Sequence, residues 1–335
     1  MKIQAQSPCR VDLAGGTLDI WPLYLFHANA VTVNFAVDRY TSCEIVTRDD
    51  EKIILRSADQ KGEETFENFD ALVSAKKYKL ALLAYIVRFF RPAGGIELST
   101  DSQAPAGAGI SGSSSLLITI GSALNKLNDA GYNIEKIREI SQNVEAQIIH
   151  VPTGCQDYYP AMYGGVSAID LTTAGIVHNH LPVDLEDFNR RIVLAYSGKP
   201  RNSGVNNWEV TKLHVDGDKA VYKNFERIAA IAHALRTALA KPDWNEVARL
   251  IREEWSHRRK NAPGISTELI DRLIASAKRA GGQAAKVCGA GGGGCVFFLV
   301  EPGAKEAVQQ AIAAEGAEIL DVKVAPRGVR VRVFR

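Results

Sequence analysis

The segment Pro105–Ser115, PAGAGISGSSS, runs without interruption into the apolar stretch Leu116–Leu127, LLITIGSALNKL. Consecutive small residues let backbone N–H groups converge on an anion with no side chain in the way. A helix over Leu116–Leu127 would add unpaired N–H groups and the positive end of its dipole. The hydroxyl of Ser113 is a hard oxygen donor suited to Mg2+. The stretch therefore reads as a phosphate cradle at the start of a helix. Gly107–Gly112 also matches the G-x-G-x-x-G pattern of dinucleotide sites, but it does not stand in a first βαβ unit. An ordinary helix start rich in serine caps has the same composition. No G-x-x-x-x-G-K-S/T phosphate loop occurs in the sequence.

Working outward, Lys2 to about Leu55 alternates apolar and polar residues, the period of a mostly antiparallel sheet. Arg56–Asp70 reads as a loop or short strand pair, Ala71–Arg91 as a helix, and Gly95–Ser99 as a strand. Downstream, Ile134–His150 reads as a helix, and Gly164–Asp170 and Ile192–Tyr196 as strands. Leu181–Asn189 reads as a linker or an edge. Val210 to Ala280 is helical in pattern. Val287 and Val296–Val300 form strands beside a glycine cluster, Ala304–Ala314 a helix, and the alternating tail a closing strand. Strands and helices mix without a βαβα rhythm, so the fold class is α+β. A boundary near 180–190 gives two domains, 1–185 and 186–335.

Three further constellations stand out. Lys286–Cys295, KVCGAGGGGC, packs five glycines into six residues, which permits positive φ and close backbone approach to a ligand; a glycine-rich hairpin is the plainer reading. Glu145 lies on a helix and Asp157 just beyond a Pro/Gly turn. One carboxylate would ligate Mg2+ while the other accepts a proton from a hydroxyl, or each is a solvated acid. In Ser7–Asp19, SPCRVDLAGGTLD, Arg10 and Asp12 alternate with apolar residues, and a glycine turn presents Gly16, Thr17 and Asp19. Arginine suits a phosphate or a carboxylate, and a short acid past a glycine turn suits sugar hydroxyls. A structural salt bridge is the alternative.

The chain has 335 residues, 46% hydrophobic and 23% charged, which excludes a disordered polymer. No apolar run reaches the roughly 18 residues of a membrane span, and the N-terminal residues lack the apolar core of a signal peptide. Forty basic against thirty-eight acidic residues leave a net charge of +2, which argues against a nucleic-acid partner. Five widely spaced cysteines with no C-x-x-C pair disfavour a zinc ribbon or disulfide framework. The expectation is a cytoplasmic protein with reduced thiols.

Taken in order, these motifs resemble those of the GHMP kinase superfamily. PAGAGISGSSS resembles the family's P-x-G-x-G-L-G/S-S-S-A, and KVCGAGGGGC its K-x-x-G-A-G-x-G-G-C. CRVDLAGGTLD resembles the G-R-V-N-L-I-G-E-H-T-D of its sugar kinases, although Gly16-Thr17 stand where galactokinases carry Glu-His. RVDLAGGTLD and TGCQD bring the chain nearest to the D-glycero-D-manno-heptose 7-phosphate kinase branch.

The resemblance implies an N-terminal domain of mixed sheet and helices, a C-terminal ferredoxin-like domain, and a cleft between them. It implies ATP and Mg2+ as cofactors and a sugar or sugar phosphate as substrate, with the anomeric hydroxyl of a heptose 7-phosphate as one candidate. It implies Asp157 and Arg10 as catalytic residues and Ser113 with Glu145 at the metal. Pro105, Gly107, Gly109, Ser111, Gly112, Ser113, Ser114, Gly289 and Gly291 would hold the nucleotide. Asp19, Thr17, Gly16, Arg201 and Gly292 would hold the acceptor. A small-alcohol kinase of the mevalonate or homoserine type, and a catalytically silent nucleotide or sugar sensor, are the alternatives. A monomer or homodimer is expected, with no nucleic-acid or membrane partner.

Overall fold

The computed structural model describes residues 1–199, 204–241 and 243–334, with the backbone alone at 204–206. The chain begins with β1 (Lys2–Ala14), a 3-10 turn at Leu23–Phe26, β2 (Val31–Thr47), β3 (Ile53–Ser57) and β4 (Gly62–Phe66). It continues through α1 (Phe69–Ser74), α2 (Ala81–Phe90), β5 (Ile96–Ser102), α3 (Gly112–Leu127) and α4 (Ile134–Ile149). A second 3-10 turn at Gln156–Tyr158 leads into α5 (Tyr159–Tyr163), β6 (Val166–Thr172), β7 (Gly175–Leu181), α6 (Leu185–Arg191) and β8 (Ile192–Tyr196). Helices α7 (Gly204–Val215), α8 (Lys219–Ala240), α9 (Trp244–Arg258) and α10 (Glu268–Arg279) follow. The chain closes with β9 (Gly282–Val287), β10 (Cys295–Val300), α11 (Lys305–Ala314), β11 (Glu318–Leu320) and β12 (Arg330–Phe334).

Two sheets organise these elements. The larger has eight strands in the order β12-β1-β2-β5-β3-β4, with β6 on β2 and β7 on β6. The length of β2 makes this possible. Its first residues pair with β6 (Val31↔Asp170 to Phe35↔Val166) and its last with β5 (Thr41↔Ser102 to Thr47↔Ile96). The smaller sheet, β11-β8-β10-β9, is antiparallel throughout. Its strands run 4-1-3-2 in chain order with helices in both crossovers, the ferredoxin-like arrangement. The α+β expectation is borne out.

Helix α3 sits where the sequence quoted above requires. Ser114 through Leu124 are all buried, and a helix apolar on every side belongs in an interior. It packs with α2 and α4 on the larger sheet. Helices α8 and α9 share a core with β1, β2 and the strands of the smaller sheet, so one apolar body joins the two sheets.

Three local readings change. The helix expected over Ala71–Arg91 breaks into α1 and α2, with the lysine-rich 75–80 stretch between them. Leu181–Asn189 runs from β7, at the edge of the larger sheet, to β8 of the smaller one, and most of it is helical. Leu181 ends β7, and Asp184 caps α6 by accepting from the Glu186 and Asp187 N–H groups. The tail is strand only over Arg330–Phe334, which pairs with β1 in the larger sheet. Among the described residues no helix is long and apolar enough to cross a membrane.

Candidate active site

The loop before α3 is held on both flanks. Arg10 N donates to Ile110 O at 3.0 Å, and Cys295 N donates to Ala108 O at 2.7 Å. Gly107 and Gly109 have φ of 68° and 75°, where glycine carries no steric penalty. Ser111 adopts φ 59° without that exemption, and its buried hydroxyl has no hydrogen-bond partner among the described residues. A non-glycine backbone held in a sparsely populated conformation is a common mark of a working site. The backbone then enters α3 with Gly112 and Ser113 on the wall of a cleft of about 400 Å3.

Helix α4 delivers Glu145 to the same place. Ser113 Oγ donates to Glu145 Oε1 at 2.5 Å, and Ser114 Oγ donates to Oε2 at 3.0 Å. The Tyr158 hydroxyl donates to that second oxygen as well. Burial pushes the Glu145 carboxyl above its ordinary range, against the opposing pull of the Ser113 and Tyr158 hydroxyls. A carboxylate and a hydroxyl in contact at a helix N-terminus form a hard oxygen pair suited to a divalent cation.

In the same cleft, Arg10 of β1 meets Asp157 of the 3-10 turn. Arg10 Nε and Nη2 donate to Asp157 Oδ1 at 2.9 and 2.6 Å, and Nη1 donates to Gly109 O at 2.8 Å. One buried guanidinium thus ties the acid to the phosphate-cradle loop. Burial alone would lower the Arg10 pKa, but Asp157 and Asp12 outweigh it and raise it. Asp19 lies alongside, 3% exposed, with Oδ2 accepting from Gln156 N at 2.9 Å. Burial first, and the Asp157 charge second, push the Asp19 carboxyl up to about 7. Gly154 makes room for it: a Cβ there would stand 2.0 Å from Asp19 Oδ2.

A fully buried set of four charges lies beneath Gly16. Lys286 Nζ lies 2.9 Å from Asp12 Oδ2 and 3.1 Å from Glu254 Oε2. Arg258 Nη2 lies 2.5 Å from Glu254 Oε1 and 3.5 Å from Asp12 Oδ2, and it donates to Gly16 O at 3.0 Å. Burial would raise the Asp12 carboxyl, yet Lys286, Arg258 and Arg10 hold it below its usual range. Glu254 and Arg258, one helical turn apart on α9, did not stand out in the sequence. The alternation Arg10, Val11, Asp12 and the lysine opening the glycine motif were the available signals.

The expected site residues fall as follows. Arg10, Gly16, Thr17, Asp19, Pro105, Gly107, Gly109, Ser111, Gly112, Ser113, Glu145, Asp157 and Gly289 all line this one cleft, joined by Gln156, Asn207 and Arg258. Ser114 lies behind it, on Glu145. Gly291 and Gly292 are absent from the lining and pack against Ile265. Gly292 N donates to Ile265 O at 2.9 Å, and a Cβ on Gly291 would stand 2.6 Å from that same oxygen. The cluster thus serves, in part, as a backbone-to-backbone junction. Arg201 lies outside the described residues. The far end of the cleft, with Leu82, Ile149 and Pro152, is an apolar wall the sequence did not single out. All five cysteines are buried.

Two family models match the chain. The GHMP kinases N terminal domain covers 75–165 and the GHMP kinases C terminal model covers 223–318, together more than half its length. The D-glycero-alpha-D-manno-heptose 7-phosphate kinase of Campylobacter jejuni is 26% identical over 338 residues, covering 98% of both chains. The mevalonate kinase of Pyrococcus abyssi is 26% identical over 254 residues, covering 72% of this chain and 70% of its own. Among solved structures, the Lactococcus lactis galactokinase complexed with galactose shares the fold with a TM-score of 0.80 at 20% identity, covering 98% of this chain and 95% of its own. With both halves matched in order and the fold shared along nearly the whole length, the chain belongs to the GHMP kinases.

Proposed function

We propose that this kinase transfers the γ-phosphoryl group of ATP to a hydroxyl of a sugar or sugar phosphate, the anomeric hydroxyl of a heptose 7-phosphate being the first candidate. The observation that carries this reading is that one cleft holds both ends of such a reaction. The glycine-rich loop with Ser113 and Glu145 and the Arg10–Asp157 pair with Asp19 all line it, and Arg10 Nη1 on Gly109 O joins the two groups. The Campylobacter relative, which matches from end to end, supports the heptose assignment.

Phosphoryl transfer asks a protein mainly to align reactants and to stabilise charge. The glycine loop and the α3 N-terminus receive the phosphates with backbone N–H groups. Ser113 and Glu145 would hold Mg2+, which when bound offsets repulsion among the phosphate oxygens. Arg10 faces the transferring group with a charge already fixed in direction by Asp157 and Gly109. Asp157 keeps one oxygen for the acceptor hydroxyl while the other stays on Arg10. Thr17, Asp19 and Asn207 offer hydroxyl, carboxylate and amide partners suited to a polyol. Arg201 is proposed as a contact for a phosphate already on the sugar. In this scheme residues 1–185 carry the ATP loop and catalytic acid, and 186–335 carry the glycine-rich third motif.

A small-alcohol kinase is less favoured, because the acceptor end is lined by acids, an amide and an arginine rather than by apolar groups. A silent sensor is less favoured because Arg10, Glu145 and Asp157 are all present and hydrogen-bonded within one site. The test is an ADP-release screen with Mg-ATP across hexoses, heptoses, heptose 7-phosphate, mevalonate and homoserine. Turnover confined to sugars or their phosphates is the expected outcome. Turnover on mevalonate or homoserine alone would overturn it.

A further inference from the structure

Gln156 stands on the 3-10 turn directly before Asp157, lines the same cleft, and is only 4% exposed. Its backbone N–H donates to Asp19 Oδ2 at 2.9 Å. Its backbone O and its side-chain Oε1 each accept from Asn34 Nδ2 at 3.1 Å. The two bonds from Asn34 settle which way the Gln156 amide points. A backbone carbonyl can only accept, so the Asn34 group that faces it is the NH2. The same NH2 reaches the Gln156 side chain, which has to answer with its oxygen. Nε2 is thereby turned away from Asn34, and it has no acceptor among the described residues.

That donor is aimed at a defined place. A Cβ on Gly16 would lie 2.8 Å from Gln156 Nε2 and 2.8 Å from Asp12 Oδ2, and Gly16 is itself on the cleft wall. Asp12 Oδ1 is buried with no hydrogen-bond partner among the described residues. An amide donor fixed in a buried wall with nothing to bond costs stability, a cost that a ligand oxygen would remove. The carboxylates of Asp12 and Asp19 line the same cleft. A hydroxyl that accepts from Nε2 can donate to one of them, which a carbonyl or an ether oxygen cannot.

We propose that Gln156 is a specificity residue for the acceptor, its Nε2 donating to the sugar hydroxyl next to the one that is phosphorylated. The inference rests on the kinase reading above and deepens it. Asp157, the following residue, is paired with Arg10 where the phosphoryl group passes, so an oxygen held by Gln156 belongs to the carbon beside the reacting one. Adjacent hydroxyls are a mark of sugars, and mevalonate and homoserine have none. A site built to hydrogen-bond a substrate hydroxyl rejects an analogue without it far more strongly than an apolar pocket rejects a missing methylene.

The test crosses two deletions. The sugar is the one found in the ADP-release screen, with the phosphorylated position read by 31P NMR of the product. Gln156→Met, close in length and without the amide, should lower kcat/KM for that sugar about tenfold or more, while KM for ATP holds. The parent enzyme should lose a similar factor on the analogue that lacks the adjacent hydroxyl (the 2-deoxy sugar, where the anomeric hydroxyl is phosphorylated). Gln156→Met should treat the sugar and that analogue alike, yet keep its full loss on analogues lacking a more distant hydroxyl. If Gln156→Met does not fold by circular dichroism, Gln156→Glu keeps an oxygen for Asn34 and replaces the N–H, and it should lose the same discrimination. A Gln156 variant that still discriminates as the parent does, or that loses the same factor on every acceptor, would overturn this proposal and leave the kinase reading standing. A screen with no acceptor at all would sink the kinase reading and this proposal with it.

Discussion

Gly154 shows how one missing side chain sets the position of Asp19. Its Cα faces Asp19 so closely that a Cβ would fall inside the carboxylate. Gly154→Ala is therefore expected to push Asp19 off the Gln156 N–H and raise the acceptor KM about tenfold or more, leaving KM for ATP near its original value; steady-state kinetics with each substrate varied would check this. Asp19 also carries a stability signature. Its folded pKa is raised, so between the unfolded value near 3.8 and about 7 the folded state binds more protons. Stability from this group is present at the acid end of that window and is lost as pH rises through it. Asp19→Asn should be more stable than the parent above pH 7 and lose more than half of that advantage by pH 5, read by urea unfolding at both values. The sequence made Asp19 visible as an acid beyond a glycine turn. It could not make Gly154 visible, because the contact that gives this glycine its meaning spans 135 residues of chain and nothing local distinguishes it.

Helices α3 and α4 meet so that a hydroxyl at the start of one touches a carboxylate near the end of the other. Glu145→Gln keeps an oxygen for Ser113 and removes the charge. The Mg2+ concentration for half-maximal rate is expected to rise about tenfold, measured at saturating nucleotide, while the circular dichroism stays unchanged. Helix α3 was legible because its small-residue entrance and apolar body are both local signals. Helix α6 carried local signals too, an Asp184 cap, acids in its first turn and arginines in its last, yet its short length let it pass as a linker. Strand β7 lies mostly exposed, so its apolar residues do not alternate cleanly, and its pairing with β6 gives the order the pattern lacks. The Ala71–Arg91 periodicity spans a real break because lysines are tolerated on helix surfaces as readily as in loops.

The whole molecule is tied through its middle by Asp12, Glu254, Arg258 and Lys286, drawn from β1, α9 and β9. Lys286→Met would leave two buried carboxylates short of one cation, a loss of about 3–5 kcal/mol by the measure of other broken buried pairs. Urea denaturation followed by tryptophan fluorescence should show it as a lower midpoint. Asp12 lies 246 positions from Arg258 and 274 from Lys286, separations that spacing alone cannot match, which is why half of this set escaped notice. The same long reach governs β12, which supplies the outer neighbour of β1 at Lys2↔Phe334 through Gln6↔Arg330. On a translating ribosome, β1 has to wait for a strand made more than 300 residues later. Until then its flank is open to other nascent chains, so slow synthesis late in the message would leave this sheet exposed longest.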